Sequence, residues 1–342
     1  MSTRLRSILI VVAVTLLVAL SAIWWMYRSV LGSPFQISET VYVYVRPDDT
    51  AASVRRQLCE VGNARHLRGW NILCALRSYQ PRTGRYAVSP GESMLGVYRK
   101  LLRGHQEPVR LTVPSVRGLH RLAGTLGSKL MMDSVEVAEL LADTAYMSCY
   151  GYDAASVPSM FIPNTYEVYW DISVDDLMER LQREHDRFWA ASGRMDKAAA
   201  LGLTPEEVYT LASIVDEETA VNDEKPDVAG LYINRLRRNM PLQADPTVKF
   251  AVGDETLRRI TSQHLQVESP YNTYLHEGLP PGPIRIASIA GIDAVLNATK
   301  HDFIYMCARE DFSGRHNFAS NYAQHQANAR RYQQALNRRG IH

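Results

Sequence analysis

Hydrophobic and polar positions change their rhythm three times along the chain. From Ile8 to Tyr27 every residue is uncharged and most are apolar. That length matches the roughly 20 residues needed to cross a bilayer core. Arg4 and Arg6 precede the run, and Trp24, Trp25 and Tyr27 sit near its end, where amphipathic rings suit a membrane interface. The basic residues place the short N-terminal end in the cytoplasm, although Arg28 on the far side weakens the asymmetry. No small-x-small cleavage site follows. The pattern predicts a single-pass signal anchor in the cell inner (cytoplasmic) membrane, with everything after about residue 28 on the extracytoplasmic face. Its alternatives are a cleaved signal and a buried soluble helix.

A short Gly-Ser-Pro linker leads to VYVYV, Val41 to Val45, whose alternation predicts a strand. Helical spacing follows over residues 50–61 and 67–78, a second strand over 84–88, a helix over 93–103 stopped by Gly104, and a strand over 109–113. Together these make a small α/β module of about 70 residues. Beyond it the period is helical over 119–143, 175–190, 204–218 and 227–239, then 287–297, with a strand over 303–307, a turn over 314–318 and a last helix to about residue 339, capped by Ser320. The stretch Phe161 to Trp170 (FIPNTYEVYW) breaks the helical run. Its aromatic and polar residues fit either a wall of a carbohydrate cleft or a patch of core. Three prolines and two glycines in GLPPGPI, Gly278 to Ile284, predict a fixed irregular loop. The fold class expected is α+β behind one membrane-spanning helix.

The chemistry concentrates between residues 204 and 248. Thr204 can cap a helix, Pro205 suits its first position, and Glu207 completes a capping box. Val208, Leu211, Ala212 and Val215 fall on one face, which is expected to be buried. Asp216, Glu217 and Glu218 close the helix. At about 100° per residue they diverge, so Glu217 is expected to face water and Glu218 to lie on the flank of the apolar face. A carboxyl half-embedded in apolar surface has a raised pKa, as a general acid near neutral pH requires. A solvated helix end is the alternative reading of this acidic triplet. A second helix, with Val228, Leu231, Tyr232 and Leu236 inward, then delivers the chain to a predicted loop. There Gln243, Asp245 and Thr247 offer hydrogen bonds to a polar ligand and Pro246 supplies stiffness.

The formal net charge is +2, from 38 basic and 36 acidic side chains, without a basic tract, which argues against a nucleic-acid partner. The 18 tyrosines against 7 phenylalanines favour aromatic surfaces that also hydrogen-bond. Cys59, Cys74, Cys149 and Cys307 show no metal-ligand spacing, and no HExxH helix occurs, so neither a metal nor another cofactor is expected. Cys59 and Cys74 could form a disulfide outside the cytoplasm or remain free thiols.

IVDEETA, INRLRRNMPLQADPTV, SPYNTYLHEGLPPGPI and GRHNFASNYAQHQ together resemble the endolytic murein transglycosylases of the YceG-like (MltG) type, most strongly from about residue 161 to 335. The module before Arg110, with its GRYAVSPGESM run, is similar to that family's LysM-like subdomain. The resemblance implies a cytoplasmic tail over residues 1–7, an anchor over 8–27, a linker over 28–40, a LysM-like module over 41–110 and a catalytic domain over 111–342. It also implies cleavage of peptidoglycan glycan strands after N-acetylmuramic acid, with a 1,6-anhydro end left behind. Nascent strands are the expected substrate, and cell-wall synthesis machinery such as penicillin-binding proteins supplies candidate partners. The family's catalytic glutamate in E-x-E-T carries over to Glu218, the residue the helical geometry also selects. Gln243, Asp245, Thr247 and Tyr271 are candidate glycan-binding residues, with Asn164, Tyr166, Asn272 and Asn317 behind them. His316 is a further candidate, although a lone histidine is more often structural. Two departures stand out: Pro114-Ser115-Val116-Arg117 where the family commonly has Pro-Glu-Gly, and Ile286-Ala287-Ser288 where Asn-Pro-Gly commonly follows Gly-Pro-Ile. A hydrolase pairing Glu218 with Asp245, and a non-catalytic glycan-binding scaffold, are the rival functions.

Overall fold

The structure, a computed structural model, describes residues 3–254, 257 and 259–340. Residues 1 and 2 of the expected tail, and 341 and 342 at the other end, lie outside the described residues. The helices are α1 (Thr3–Leu31), α2 (Ala51–Val61), α3 (Arg68–Leu76), α4 (Met94–Arg103), α5 (Leu119–Lys129), α6 (Ser134–Ala142), α7 (Thr144–Ser148), α8 (Val174–Ala190), α9 (Arg194–Leu201), α10 (Pro205–Glu218), α11 (Lys225–Arg237), α12 (Asp245–Val252), α13 (Ile289–Leu296) and α14 (Tyr322–Arg338). The strands are β1 (Val41–Val45), β2 (Gly84–Val88), β3 (Val109–Thr112), β4 (Thr165–Val168), β5 (Tyr305–Ala308) and β6 (His316–Ala319). They form three two-stranded sheets, β1-β2, β3-β4 and β5-β6. The mixed α+β class is as expected.

The chain divides into two compact units, residues 1–110 with 167–172, and residues 111–166 with 173–342. In the first, β1 and β2 pair antiparallel with Val43 opposite Tyr86. Val43, Val45, Leu58, Trp70, Val88 and Leu101 fill its core. Ser93 caps α4 and Gly104 ends it in the left-handed region, at φ 71°. The returning segment contributes Trp170, whose ring meets Tyr44 edge-on at 5.0 Å. Cys59 and Cys74 are free thiols, as are Cys149 and Cys307. α1 contains the apolar stretch Arg6–Leu31, long enough to cross a membrane, and its apolar side chains stand exposed.

The second unit is built around α10. Thr204 accepts from the Glu207 amide at 3.2 Å while the Glu207 carboxylate accepts from the Thr204 amide at 2.8 Å, the expected capping box. Burial, however, is not restricted to one face: every residue from Val208 to Val215 is buried. α11, α13 and the loops around residue 284 pack around the helix, so even Thr210 and Ser213 are enclosed. Ser213 uses its hydroxyl twice, donating to the Thr210 carbonyl at 2.7 Å and accepting from the Ile284 amide at 3.0 Å. Burying a polar group inside a helix bundle is tolerated when its bonds are made in this way.

Of the two readings of the aromatic stretch, burial of Phe161, Ile162, Tyr166 and Trp170 selects the core, with Tyr169 as its exposed ring. Other expectations are corrected. The predicted loop at 243–247 is a loop only to Ala244, because Asp245 and Pro246 begin α12; proline in a first helical turn loses no hydrogen bond. The predicted turn at 314–318 is in part strand, His316 to Phe318 being paired to β5. Asn321, not Ser320, caps the last helix.

Gly230 sits in the middle of α11, where a Cβ would lie 2.4 Å from the Thr299 carbonyl oxygen. Alanine normally favours a helix over glycine by about 1 kcal/mol. At this position Gly230→Ala is expected instead to destabilise by about 1–3 kcal/mol, read as a lower midpoint in urea unfolding.

Candidate active site

The three acids that end α10 go three separate ways. Asp216 turns inward. Its Oδ1 accepts from Lys225 Nζ at 2.7 Å and from the Ser288 hydroxyl at 2.8 Å, and its Oδ2 from the Ser288 amide at 2.6 Å. Ser288 is the N-cap of α13, so this carboxylate sits at a helix N-terminus, where the dipole favours negative charge. α13 approaches so closely that a Cβ on Gly291 would lie 2.6 Å from Asp216 Oδ1.

Glu217 does not face water, contrary to the expectation from helical geometry. Its side chain is only 6% exposed. Arg117 bonds it through Nε at 2.6 Å and again through Nη2, and Arg285 Nη1 adds a bond at 3.0 Å. The side of α10 opposite the apolar face is covered by the segments carrying these two arginines, which a single helical wheel cannot reveal.

Glu218 points into a pocket of about 420 Å3 formed by α10, α11, the start of α12, the β5-β6 hairpin and α14. Its Oε1 accepts from the Tyr232 hydroxyl at 2.7 Å. Among the described residues no cation pairs with it. Its pKa is raised to about 7, first by loss of water around the carboxylate and further by the Asp245 charge, with the Tyr232 bond opposing. Thr219 ends the helix and donates to Glu224 Oε2 at 2.9 Å, while Glu224 also accepts from the His316 amide at 2.7 Å. This buried carboxylate ties the end of α10 to the hairpin wall of the pocket. His316 Nδ1 lies 3.0 Å from Glu224 as well, and its ring lines the pocket.

The sequence candidates divide between the pocket and its supports. Gln243 and Asp245 line the pocket with Glu218. Gln243 has φ 50°, a left-handed conformation uncommon for a side-chain-bearing residue. Its Oε1 accepts from Arg235 Nη1 at 3.2 Å. Asp245 accepts from the Tyr274 hydroxyl at 2.7 Å. Thr247 is fully buried, its hydroxyl donating to the Ala244 carbonyl at 2.8 Å and lying 2.8 Å from that of Thr273. Asn272 is fully buried too, its amide donating to the carbonyls of Leu265 and Val267. Thr247 thus braces the start of α12, where Asp245 lies, and Asn272 braces the loop of Tyr274. Tyr271 packs on Phe250 at 4.7 Å and lines a separate hollow with Pro158 and Arg285. Tyr166 is buried, donating to the Ile162 carbonyl, and Asn164 is exposed and accepts from the Thr165 amide. Asn317 donates to Glu310 at 2.6 Å. None of these four lines the Glu218 pocket.

Sequence reasoning missed Arg235, Tyr274, Tyr305 and His325, which also line the pocket. Arg235 is buried, and its guanidinium is held by the carbonyls of Ile304 at 2.7 Å, Pro241 at 3.0 Å and Leu242 at 2.7 Å. Its place on the inner side of α11, one turn from Tyr232, was the available signal. The set offers one carboxyl of raised pKa, a second acidic side chain and a buried guanidinium around a polar cavity. That arrangement is suited to proton transfer on an uncharged ligand rich in hydroxyls. Among the described residues no group of acidic, histidine or cysteine side chains is arranged to hold a metal.

Known proteins resemble this chain over most of its length. A family model described as the YceG-like family matches residues 43–331. The endolytic murein transglycosylase of Streptococcus pneumoniae serotype 2 (strain D39) is 25% identical over 337 residues, which cover 88% of this chain and 61% of that protein. The endolytic murein transglycosylase of Bacillus subtilis (strain 168) is 31% identical over 144 residues, 41% of this chain and 38% of that one. The chain thus spans under two thirds of the length of either curated relative. The crystal structure of a YceG-like protein from Listeria monocytogenes aligns with a TM-score of 0.56 at 21% identity, covering 85% of this chain and 99% of that one, a likeness of fold.

Two measurements probe the electrostatics directly. Tyr232→Phe removes the donor that favours the charged form of Glu218, so the carboxyl pKa is expected to rise above its value of about 7, measured by carbon-13 NMR of labelled glutamate. The raised pKa also makes stability depend on pH. The folded state holds the Glu218 proton more tightly than the unfolded chain, so this contribution is present below pH 4.5 and lost as pH rises towards about 7. Against Glu218→Gln, the wild type is expected to lose at most about 3 kcal/mol across that window, measured by urea unfolding at both ends.

Proposed function

This chain belongs to the YceG-like family, and on that premise we propose that it is a membrane-anchored endolytic peptidoglycan lytic transglycosylase. α1 is its anchor, with the catalytic unit on the extracytoplasmic side, as the basic N-terminal residues and the interfacial Trp24 and Trp25 suggest. The observation that carries the reading is Glu218: a carboxyl in a polar pocket, without a cationic partner among the described residues, and with a pKa near 7. It is therefore substantially protonated near neutral pH, yet able to ionise.

Protonated Glu218 donates to the glycosidic oxygen as the bond to N-acetylmuramic acid breaks. The resulting carboxylate is stabilised by the Tyr232 hydroxyl. It then takes the proton of the sugar's own C6 hydroxyl, whose oxygen closes on the anomeric carbon to give the 1,6-anhydro end. The proton returns to Glu218 and no water is consumed, so one carboxyl serves in turn as acid and base. Gln243 and Asp245, with Arg235 beside them, orient the glycan in the pocket.

A hydrolytic reading has one observation in its favour. Asp245 lines the same pocket and its charge reaches Glu218, as a second carboxylate would in an ordinary glycosidase. Mass spectrometry of digested strands separates the two: anhydro products are lighter than hydrolytic ones by one water. The expected result is anhydro ends from the wild type. Glu218→Gln is expected to lower strand cleavage by at least about 100-fold while its melting temperature shows the fold intact. Cleavage retained in that variant, or products carrying the added water, would overturn the assignment.

A further inference from the structure

One wall of the Glu218 pocket has hydrogen-bonding capacity that the protein does not use. Arg235 lines it and is 6% exposed. Its Nε donates to the Ile304 carbonyl, and its Nη1 to the carbonyls of Pro241 and Leu242 and to Gln243 Oε1. Among the described residues nothing accepts from Nη2, and no carboxylate bonds this guanidinium. A guanidinium carries N–H donors and no acceptor, so an enclosed one with an unused edge beside a cavity calls for an acceptor from outside.

Gln243 adds a second unused donor, and Arg235 decides which atom it is. Because the guanidinium can only donate, the amide atom facing it must be the oxygen, 3.2 Å from Nη1. The Gln243 Nε2 group is the end left over, without a partner among the described residues. The backbone that carries it is pinned. At φ 50° it is left-handed, and the Gln243 and Ala244 amides donate at 3.0 Å to the carbonyl and the hydroxyl of Thr273. Two residues on, Asp245 Oδ1 accepts from Tyr274, while no described residue bonds Oδ2. The wall therefore offers donors on Arg235 and Gln243 and an acceptor on Asp245. A sugar hydroxyl can serve either kind of group. An acetamido group brings one of each, a carbonyl oxygen that only accepts and an N–H that only donates.

We infer that Arg235 and Gln243 bind the acetamido carbonyl of an N-acetylated sugar, with Asp245 taking its N–H, so that this wall selects N-acetylated glycan over glycan with hydroxyls in their place. The inference rests on the glycan-cleaving reading above for its ligand and names the substituent that the pocket reads. Its test uses two uncharged oligomers of equal length and the same β-1,4 linkage, one of N-acetylglucosamine and one of glucose. Neither carries a lactyl arm, a peptide or a carboxylate, so a preference between them belongs to the acetamido group. Affinities are measured by ligand-observed NMR titration of the full-length Glu218→Gln protein, which removes turnover. The N-acetylated oligomer is expected to bind about tenfold more tightly, as one charge-assisted hydrogen bond allows. Gln243→Met keeps an unbranched side chain at this exposed position and removes the donor. The ratio of the two affinities is then expected to fall by about threefold or more. Gln243→Glu turns the donor into an acceptor that pairs with Arg235, and the ratio is expected to fall to about one. Equal affinities without these substitutions, binding of neither oligomer, or a ratio that Gln243→Met leaves unchanged would overturn the proposal. Strand cleavage by the wild type is read separately. Cleavage with equal affinities defeats this inference alone, and the expected ratio without cleavage defeats the transglycosylase reading alone.

Discussion

The site depends on how a buried helix ends in three consecutive carboxylates. The C-terminal end of a helix carries partial negative charge, and burial removes the water that would otherwise stabilise Asp216, Glu217 and Glu218. Each acid needs a cation, a set of donors, or a proton. Asp216 takes Lys225 and the N-terminus of α13, and Glu217 takes Arg117 and Arg285. Glu218 is left with one hydroxyl donor and no cation among the described residues. The remaining solution is a proton, which is why its pKa moves up towards neutrality. The two ion-paired neighbours and the neutralisable third are one arrangement, because cations placed nearer Glu218 would have lowered its pKa.

That partition also fixes geometry. Asp216 binds α10 to α13, Glu217 binds it to the segments around residues 117 and 285, and Thr219 binds it through Glu224 to the β5-β6 hairpin. A side chain at the end of an ordinary helix would fray. Here the residues on both sides of Glu218 are anchored, so its carboxyl is presented from a rigid frame, as precise proton transfer requires. The fully buried Thr247, Thr273 and Asn272 do the same for Asp245 and Tyr274 from the other side of the pocket.

Much of the site's supporting structure escaped the sequence for a common reason. Thr247 in the first turn of α12, Asn272 in a turn and Tyr166 in β4 are polar residues that, in a linear sequence, look the same whether they bond a ligand or the protein's own backbone. Arg235 looked like one of several charged residues on α11, although its guanidinium is enclosed by the Pro241 and Leu242 carbonyls just after that helix and by the distant Ile304 carbonyl. Asp245 and Pro246 resembled a loop because proline breaks helices, yet proline at a helix start is compatible with one.

The sequence alone determined what is local. The capping box at Thr204, the helix it begins, the apolar length of α1 and the β1 and β2 strands all follow from spacing, side-chain shape and hydrophobic period. Tertiary structure decided which surfaces met. Whether Glu217 faces water or two arginines depends on chain segments about 70 to 100 residues away, and whether the aromatic stretch forms a cleft or a core likewise depends on partners outside it, such as Tyr209 on the Phe161 carbonyl. Helical periodicity specifies the direction of a side chain, whereas solvation, and with it acidity, is set by what packs there.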